Sequence, residues 1–410
     1  MVPAAALPLQ RTYGLGGAAA VLFLMLAVTG ALLLVVYEPS PERAYGTVAR
    51  LVDEIPFGAL IRNVHHWAAN GLVFITILHL LRVFYRGGHL PPRQGNWLVG
   101  VALLLLVVAC AFTGYLLPWD QLAYWAITIS TGMLEYVPAV GPTLLRAARG
   151  GPDIGPATLA RFFVLHVAIL PIALLLLLAF HFWLVRKVGG VILPADVGDR
   201  TSPRGLLVPT SPHLTQREGV ASLVVTAAVM GLAAIWNAPL LAQANPGMSP
   251  NPAKAPWYFM GVQEMLVHLH PAFGAVAVPL LALGLLVALP AIGGGERPSG
   301  HWFGSPRGAR LALGSAVLAV FVTLAAVVAN EPLRRGRPWF PGLPPAVRGG
   351  VVPLAVAAAL VALVALVSRR RGGTRLEAVQ AAFTFVATSF LVLTLVGVFL
   401  RGQGMALVMP

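Results

Sequence analysis

Charge is scarce in this chain: of its 410 residues only 10% are Asp, Glu, Lys or Arg, and only 14 are acidic. So few charges cannot solvate the surface of a chain this long. An apolar share of 58% and a mean hydropathy of +0.82 exclude a water-soluble globular protein, along with disordered and collagen-like classes. Cysteine is almost missing. The single thiol, Cys110, sits inside an apolar run, which excludes a disulfide framework and an all-cysteine metal site and leaves histidine to hold any metal. A cleavage-type leader is also lacking, so the first apolar run, after a short Pro/Ala-rich lead, is expected to be retained.

What the chain has instead is apolar length. Runs near 15–37, 63–85, 97–117, 160–185, 218–238, 272–292, 309–329, 350–368 and 378–400 are each long enough, at about 1.5 Å per residue, to cross a bilayer core of about 30 Å. The expected fold is therefore all-α, a polytopic transmembrane protein of about nine spans. Between the third and fourth runs, residues 118–159 carry Pro118, Pro138, Pro142, Gly150, Gly151 and Pro152 among short amphipathic stretches, which suggests helices lying at the membrane face. A polar linker at 189–217 and a Pro/Arg-rich stretch at 331–348 predict three parts: 1–215 with four spans, 216–345 with three, and 346–410 with two more. The net charge of +14 lies in loops and span ends, so it reports topology and lipid contact, and no nucleic acid is expected. With a cytoplasmic N-terminus, the inner loops and span ends carry 16 of the 28 Lys+Arg and 5 of the 14 Asp+Glu, which favours that orientation in a bacterial-type inner membrane.

Ionisable side chains within spans are rare and point to function. The second run holds His65 and His79, 14 residues apart and so about 40° from a common face; the fourth holds His166 and His181, 15 apart and about 60° off. Antiparallel packing would pair His65 with His166 near one membrane surface and His79 with His181 near the other. Two imidazoles approaching an iron from opposite sides leave no open position, which suits an electron-transferring heme. Gly16 and Gly30 on the first run and Gly100 and Gly114 on the third repeat the spacing of 14, and a missing Cβ at each level would let a flat macrocycle approach the backbone. Isolated interhelical hydrogen bonding explains neither repeat. Arg62 and Arg82, each three residues from a candidate ligand, can neutralise heme propionates or snorkel at the helix ends.

These residues resemble the cytochrome b family of quinol-oxidising bc and bf complexes. The likeness lies in Leu60-Ile61-Arg62-Asn63-Val64-His65, Ile77-Leu78-His79-Leu80-Leu81-Arg82, the run from Gly114 through Pro118-Trp119-Asp120-Gln121 to Tyr124-Trp125, and Arg161-Phe162-Phe163 with Leu165-His166. The spacing of His166 and His181, and Asp120 after the tryptophan, are similar to the chloroplast and cyanobacterial form, and the likeness extends over about residues 10–340. It implies two noncovalent b hemes, an outer quinol site, an inner quinone site, a Rieske iron-sulfur partner, a c-type cytochrome and a homodimer. Electrons from quinol would pass through the His65/His166 heme to the His79/His181 heme.

Two departures stand out. The family's outer-site signature is Pro-Glu-Trp-Tyr, whose glutamate takes a proton from quinol; here the run is Ala255-Pro256-Trp257-Tyr258, with proline at the carboxylate position. A base must still lie within reach of the quinol. Glu264, eight residues on, is the leading substitute, followed by Asp120 and His268, while Trp257 and Tyr258 fit a quinone-pocket wall or an interfacial anchor. The altered acceptor points to a low-potential quinone, menaquinone before others. It also keeps open a quinone-reactive cytochrome b that anchors another redox complex without a Rieske partner. The second departure is Gly14, where some chloroplast-like members carry a cysteine for an extra heme, so no covalent heme is expected. At the inner face Arg186, Lys187, His213 and Glu218 cluster around the linker, and the His213 to Glu218 spacing is similar to inner-quinone residues of bacterial relatives. His66, His89, His270 and His301 read as solvated. From a different class, a transporter with broken midplane helices would bind no heme.

Overall fold

The computed structural model describes every residue except 194–206, 294–295, 297–298, 335–339 and 409–410. Parts of the linker expected at 189–217 and of the Pro/Arg-rich stretch at 331–348 lie outside the described residues. Nine described helices are long and apolar enough to cross a membrane: Leu15–Leu34, Gly58–Tyr85, Gln94–Tyr115, Pro156–Lys187, Thr210–Ile235, Ala272–Ile292, Pro306–Pro332, Val347–Arg370 and Arg375–Phe399. They are called the first to ninth spans below. Each matches one of the nine apolar runs, because in a bilayer only a helix of this length satisfies its own backbone polar groups. Shorter helices at Gln121–Gly132 and Gly141–Arg149 occupy the stretch expected to lie at the surface. Among the described residues, sheet is confined to one antiparallel pair, Val2–Pro3 with Leu207–Val208.

The packing makes two compact units, and they divide the chain differently from the boundaries expected at 215 and 345. One is made chiefly of Met1–Ala123 and Arg149–Ala244; the other chiefly of Tyr124–Ala148, Asn245–Glu296 and the residues from Trp302 onward. The fifth span thus belongs with the first four. The physical reason is a set of polar ties. Asn63 is buried on the second span and donates to the Ala233 carbonyl at 3.0 Å and to Asn237 Oδ1 at 2.9 Å, while its own Oδ1 accepts from Ala238 N at 2.8 Å. Trp67 Nε1 donates to the Trp236 carbonyl at 2.8 Å. A buried amide needs such partners, and the end of the fifth span supplies them.

In the second unit the seventh, eighth and ninth spans share a dry seam of Ala319, Val364, Ala381 and Phe385. The ninth span begins with a capping box: Thr374 Oγ1 accepts from Glu377 N at 3.2 Å and Glu377 Oε2 accepts from Thr374 N at 2.9 Å. A further helix, Trp257–His268, lies along the ninth span. Gly261 permits this approach, since a Cβ there would fall 2.6 Å from Thr394 Oγ1.

Three spans contain a widened π turn, at Leu165–Ile169, Ala272–Ala277 and Val347–Val351. Each is followed two residues later by a proline: Pro171, Pro279 and Pro353. Proline lacks the amide hydrogen and its ring collides with the carbonyl four residues back; widening the preceding turn relieves both. In the fourth span Leu170 N donates to the carbonyl of Leu165, five residues back rather than four.

Candidate functional site

His65 and His79 project from the second span, His166 and His181 from the fourth. The rings of His65 and His166 have centroids 6.2 Å apart and planes crossed at 74°; those of His79 and His181 are 6.4 Å apart at 73°. The two pairs are nearly congruent although one helix spaces its histidines by 14 residues and the other by 15. The π turn accounts for this. It takes up one residue without advancing the helix phase, so 15 residues across it act like 14 of regular helix, and the offset of about 60° expected for the fourth span becomes the same offset of about 40° found on the second.

The ring nitrogens are assigned by their partners. His65 Nδ1 lies 2.9 Å from Thr29 Oγ1, whose own hydrogen goes to the Met25 carbonyl at 2.7 Å, so the imidazole donates. His166 Nδ1 donates to the Cys110 carbonyl at 2.9 Å. Both arrangements put the proton on Nδ1 and leave the lone pair on Nε2, the usual way an outer group fixes the tautomer of a metal-binding histidine. At the other level the Nδ1 atoms of His79 and His181 are buried without a hydrogen-bond partner.

Each of the four glycines faces one histidine. A Cβ on Gly16 would lie 3.5 Å from His79 Cε1, on Gly30 3.3 Å from His65 Cε1, on Gly100 3.7 Å from His181 Cε1, and on Gly114 2.4 Å from His166 Cε1. The repeated spacing therefore clears the imidazoles as well as any macrocycle between them. A b heme fits this chain on three grounds. The rings face each other at a separation that two metal–nitrogen distances of about 2 Å span. Each level offers two imidazoles, the number a heme takes from its protein when both axial positions are filled. Arg82 Nε is a buried donor without a partner, three residues from His79. Arg82 also donates to the Arg11 carbonyl, and Arg62 donates to the carbonyls of Ala238 at 2.7 Å and Pro239 at 2.6 Å, so a propionate at Arg62 would share that guanidinium with the main chain.

Other expected residues fare variously. Asp120 is buried, with Oδ1 accepting from Ala123 N at 2.9 Å and Oδ2 from Leu241 N at 3.0 Å; it caps one helix and ties down the loop after the fifth span. Trp257 and Tyr258 open their helix after Pro256, ring centroids 5.5 Å apart, and burial pushes the Tyr258 phenol up. Glu264 is 0% exposed. His268 Nε2 lies 2.9 Å from its Oε1, and Arg401 donates through Nε to both oxygens at 3.1 and 3.0 Å and through a terminal nitrogen to Oε1 at 2.6 Å. Burial raises the Glu264 carboxyl, but hydrogen bonds from His268 and Arg401 and the guanidinium charge outweigh it and hold the group below its ordinary value. Of the pair expected at the inner face, His213 is exposed, whereas Glu218 packs on Gly17 with a buried Oε2 lacking a partner; five residues on one helix set the two about 140° apart, so the structure does not bring them together. Gly14 has φ +63° with Ala221 Cβ 3.0 Å from where a side chain would begin, so a cysteine there would be strained. His89, expected to be solvated, is instead 0% exposed, stacked on Phe84 at 4.8 Å and edge-on to Trp97.

Sequence reasoning passed over Thr29, Pro171, Asn330, Glu331 and Arg401. Of these, Thr29 and Pro171 carried a signal, being respectively adjacent to Gly30 and five residues past His166.

Two crossed histidine pairs at two depths of one helical bundle, each faced by glycines, are the arrangement that a membrane-embedded heme protein with two histidines per heme requires. The family profile described as Cytochrome b/b6/petB matches residues 3–189. Cytochrome b6 of Heliobacterium mobile is 45% identical over 177 residues, which is 43% of this chain and 83% of that protein. Cytochrome b6 of Prochlorothrix hollandica is 41% identical over 177 residues, 43% of this chain and 80% of its own length. The chain belongs to the cytochrome b/b6 family. A solved structure described as a hyperthermophilic respiratory Complex III has a similar fold over 94% of this chain and 90% of its own, with TM-score 0.68 and 24% identity.

Proposed function

We propose that this protein is the heme-bearing cytochrome b subunit of a quinol-oxidising bc-type complex. The observation that carries the reading is the pair of congruent histidine pairs with their facing glycines. Two noncovalent b hemes, when bound, supply one-electron carriers at the levels of His65/His166 and His79/His181, leading from an outer quinol to an inner quinone. The chain's own residues do the rest. Thr29 and the Cys110 carbonyl orient two of the ligand rings, Arg82 and Arg62 meet propionates, and Gly16, Gly30, Gly100 and Gly114 clear the ring positions. Trp257 and Tyr258 wall the outer quinol pocket, and Glu264 serves proton removal there in place of a carboxylate at Pro256. Asp120 ties down the loop after the fifth span through its two amide contacts. Glu218, with a buried oxygen lacking a partner, serves the inner quinone without His213, which lies on another face of the helix. A Rieske protein and a c-type cytochrome accept the electrons, within a homodimer whose inner-membrane orientation puts the N-terminus in the cytoplasm.

The test is a reduced minus oxidised spectrum of the purified protein followed by acid-acetone extraction. Two extractable b hemes per chain support the reading; a folded, membrane-inserted chain with none overturns it. Because Pro256 removes the family carboxylate, a cytochrome b anchoring another dehydrogenase is the second reading. A Rieske signal in the native complex decides for the first, its absence for the second.

A further inference from the structure

The two levels match in ring separation and crossing angle but differ in what lies behind the rings. Behind His65 and His166 both Nδ1–H groups have acceptors, the Thr29 hydroxyl and the Cys110 carbonyl, each at 2.9 Å. Behind His79 and His181 both Nδ1 atoms are buried and neither has one. A shift of 14 residues shows where the difference arises. It carries Gly30 onto Gly16 and Gly114 onto Gly100, and with them Thr29 onto Leu15 and Cys110 onto Asn96. On the first span the backbone is equivalent at both levels, since a Cβ on Gly16 and one on Gly30 would each stand 3.9 Å from the Nδ1 of the histidine they face. What Leu15 lacks is the hydroxyl. On the third span the difference is one of approach. His166 crowds Gly114, with Cε1, Nδ1 and Nε2 at 2.4, 2.8 and 2.9 Å from where a Cβ would sit, whereas His181 comes within 3.7 Å of the Gly100 position through Cε1. His166 thereby reaches the carbonyl one turn before its glycine. His181 stops short, and the Asn96 side-chain oxygen is left buried without a partner.

Such acceptors matter to a redox metal. An imidazole that gives its Nδ1–H to an acceptor carries more electron density on Nε2, is the stronger base towards iron, and favours the ferric over the ferrous state. Two of these bonds at one level and none at the other act in the same direction.

We propose that Thr29 is a positioning residue that lowers the electron affinity of the His65/His166 level by accepting from His65, and that the exchange of Thr29 for Leu15 along the first span gives the two otherwise congruent levels their direction. This rests on the function proposed above. In the step, one electron leaves the ferrous centre at His65/His166 and reduces the ferric centre at His79/His181. Thr29 keeps its hydrogen bond throughout, and no proton moves.

The test is a spectroelectrochemical titration of the α band in the purified protein with both hemes bound. Wild type is expected to titrate in two one-electron steps. Thr29→Val keeps the shape and removes the acceptor; it is expected to raise the lower midpoint by about tenfold in the oxidised-to-reduced ratio, about 59 mV for one electron, and to leave the upper one in place. Thr29→Ser keeps the hydroxyl and should titrate as wild type. Leu15→Thr is the reciprocal change, expected to lower the upper midpoint by a similar factor while the lower one stays. A packing role for either position would not move one midpoint selectively and in opposite directions. Thr29→Val that holds two hemes and titrates as wild type, or Leu15→Thr with its upper midpoint unmoved, overturns the inference and leaves the heme reading intact. If Thr29→Val sheds a heme, the result with Leu15→Thr decides alone. A folded wild-type protein that binds no heme overturns both.

Discussion

Single residues set the ligand geometry. His166→Ala is expected to lower heme content from two per chain to one, read by the reduced pyridine spectrum, with the His79/His181 heme retained; retention of both would reassign the ligand. The glycines separate more finely. Gly114→Ala puts a methyl 2.4 Å from His166 Cε1, whereas Gly100→Ala places one at an ordinary 3.7 Å from His181. Gly114→Ala should therefore lose most of one heme and Gly100→Ala less, and equal losses would mean that both glycines serve the macrocycle rather than the ring. His89 offers a pH test outside the spans. Burial lowers its imidazole to about 4, so it contributes stability that is complete above the unfolded value of about 6.5 and is lost as pH falls towards 4, about 3 kcal/mol at most. Thermal unfolding of His89→Phe should be flatter over that window than wild type. The four paired histidines could be picked out of the sequence because ionisable groups in spans are rare. Arg401 could not, because a basic residue just past a span looks like a topology charge and its partner Glu264 is 137 residues away. His89 misled because a loop position says nothing of the two aromatic rings that enclose it.

At the scale of elements, the spans were legible from hydropathy alone, since bilayer thickness fixes their length. The π turns were not, though a proline inside each of three spans marks them. The fourth span supplies a direct test. Deleting Ala168 together with Pro171→Ala should let the turn relax to regular helix with His166 and His181 still in phase, so both hemes stay. Deleting Leu175, in the regular part below the turn, swings the two ligands about 100° out of phase and should cost at least one heme. Heme content and the α-band positions of the two deletions decide the matter.

For the whole molecule, the division into parts was the least legible feature. Linker composition placed a boundary near 215, but Asn63, Trp67 and Arg62 fasten the end of the fifth span to the second. All four histidines lie in the unit made chiefly of Met1–Ala123 and Arg149–Ala244. A chain cut after residue 345 should therefore keep two hemes while losing quinol oxidation, because Glu264 and Glu331 are left without the Arg401 guanidinium that both hold; loss of both hemes would show that the last two helices are needed for heme retention. The π turn bears finally on how such proteins are compared. A helix that can store or release one residue beside a ligand uncouples the count of residues between ligands from their arrangement in space, so an insertion in that turn can be inherited silently, and two relatives that differ by one in histidine spacing need not differ at all in how they grip their iron.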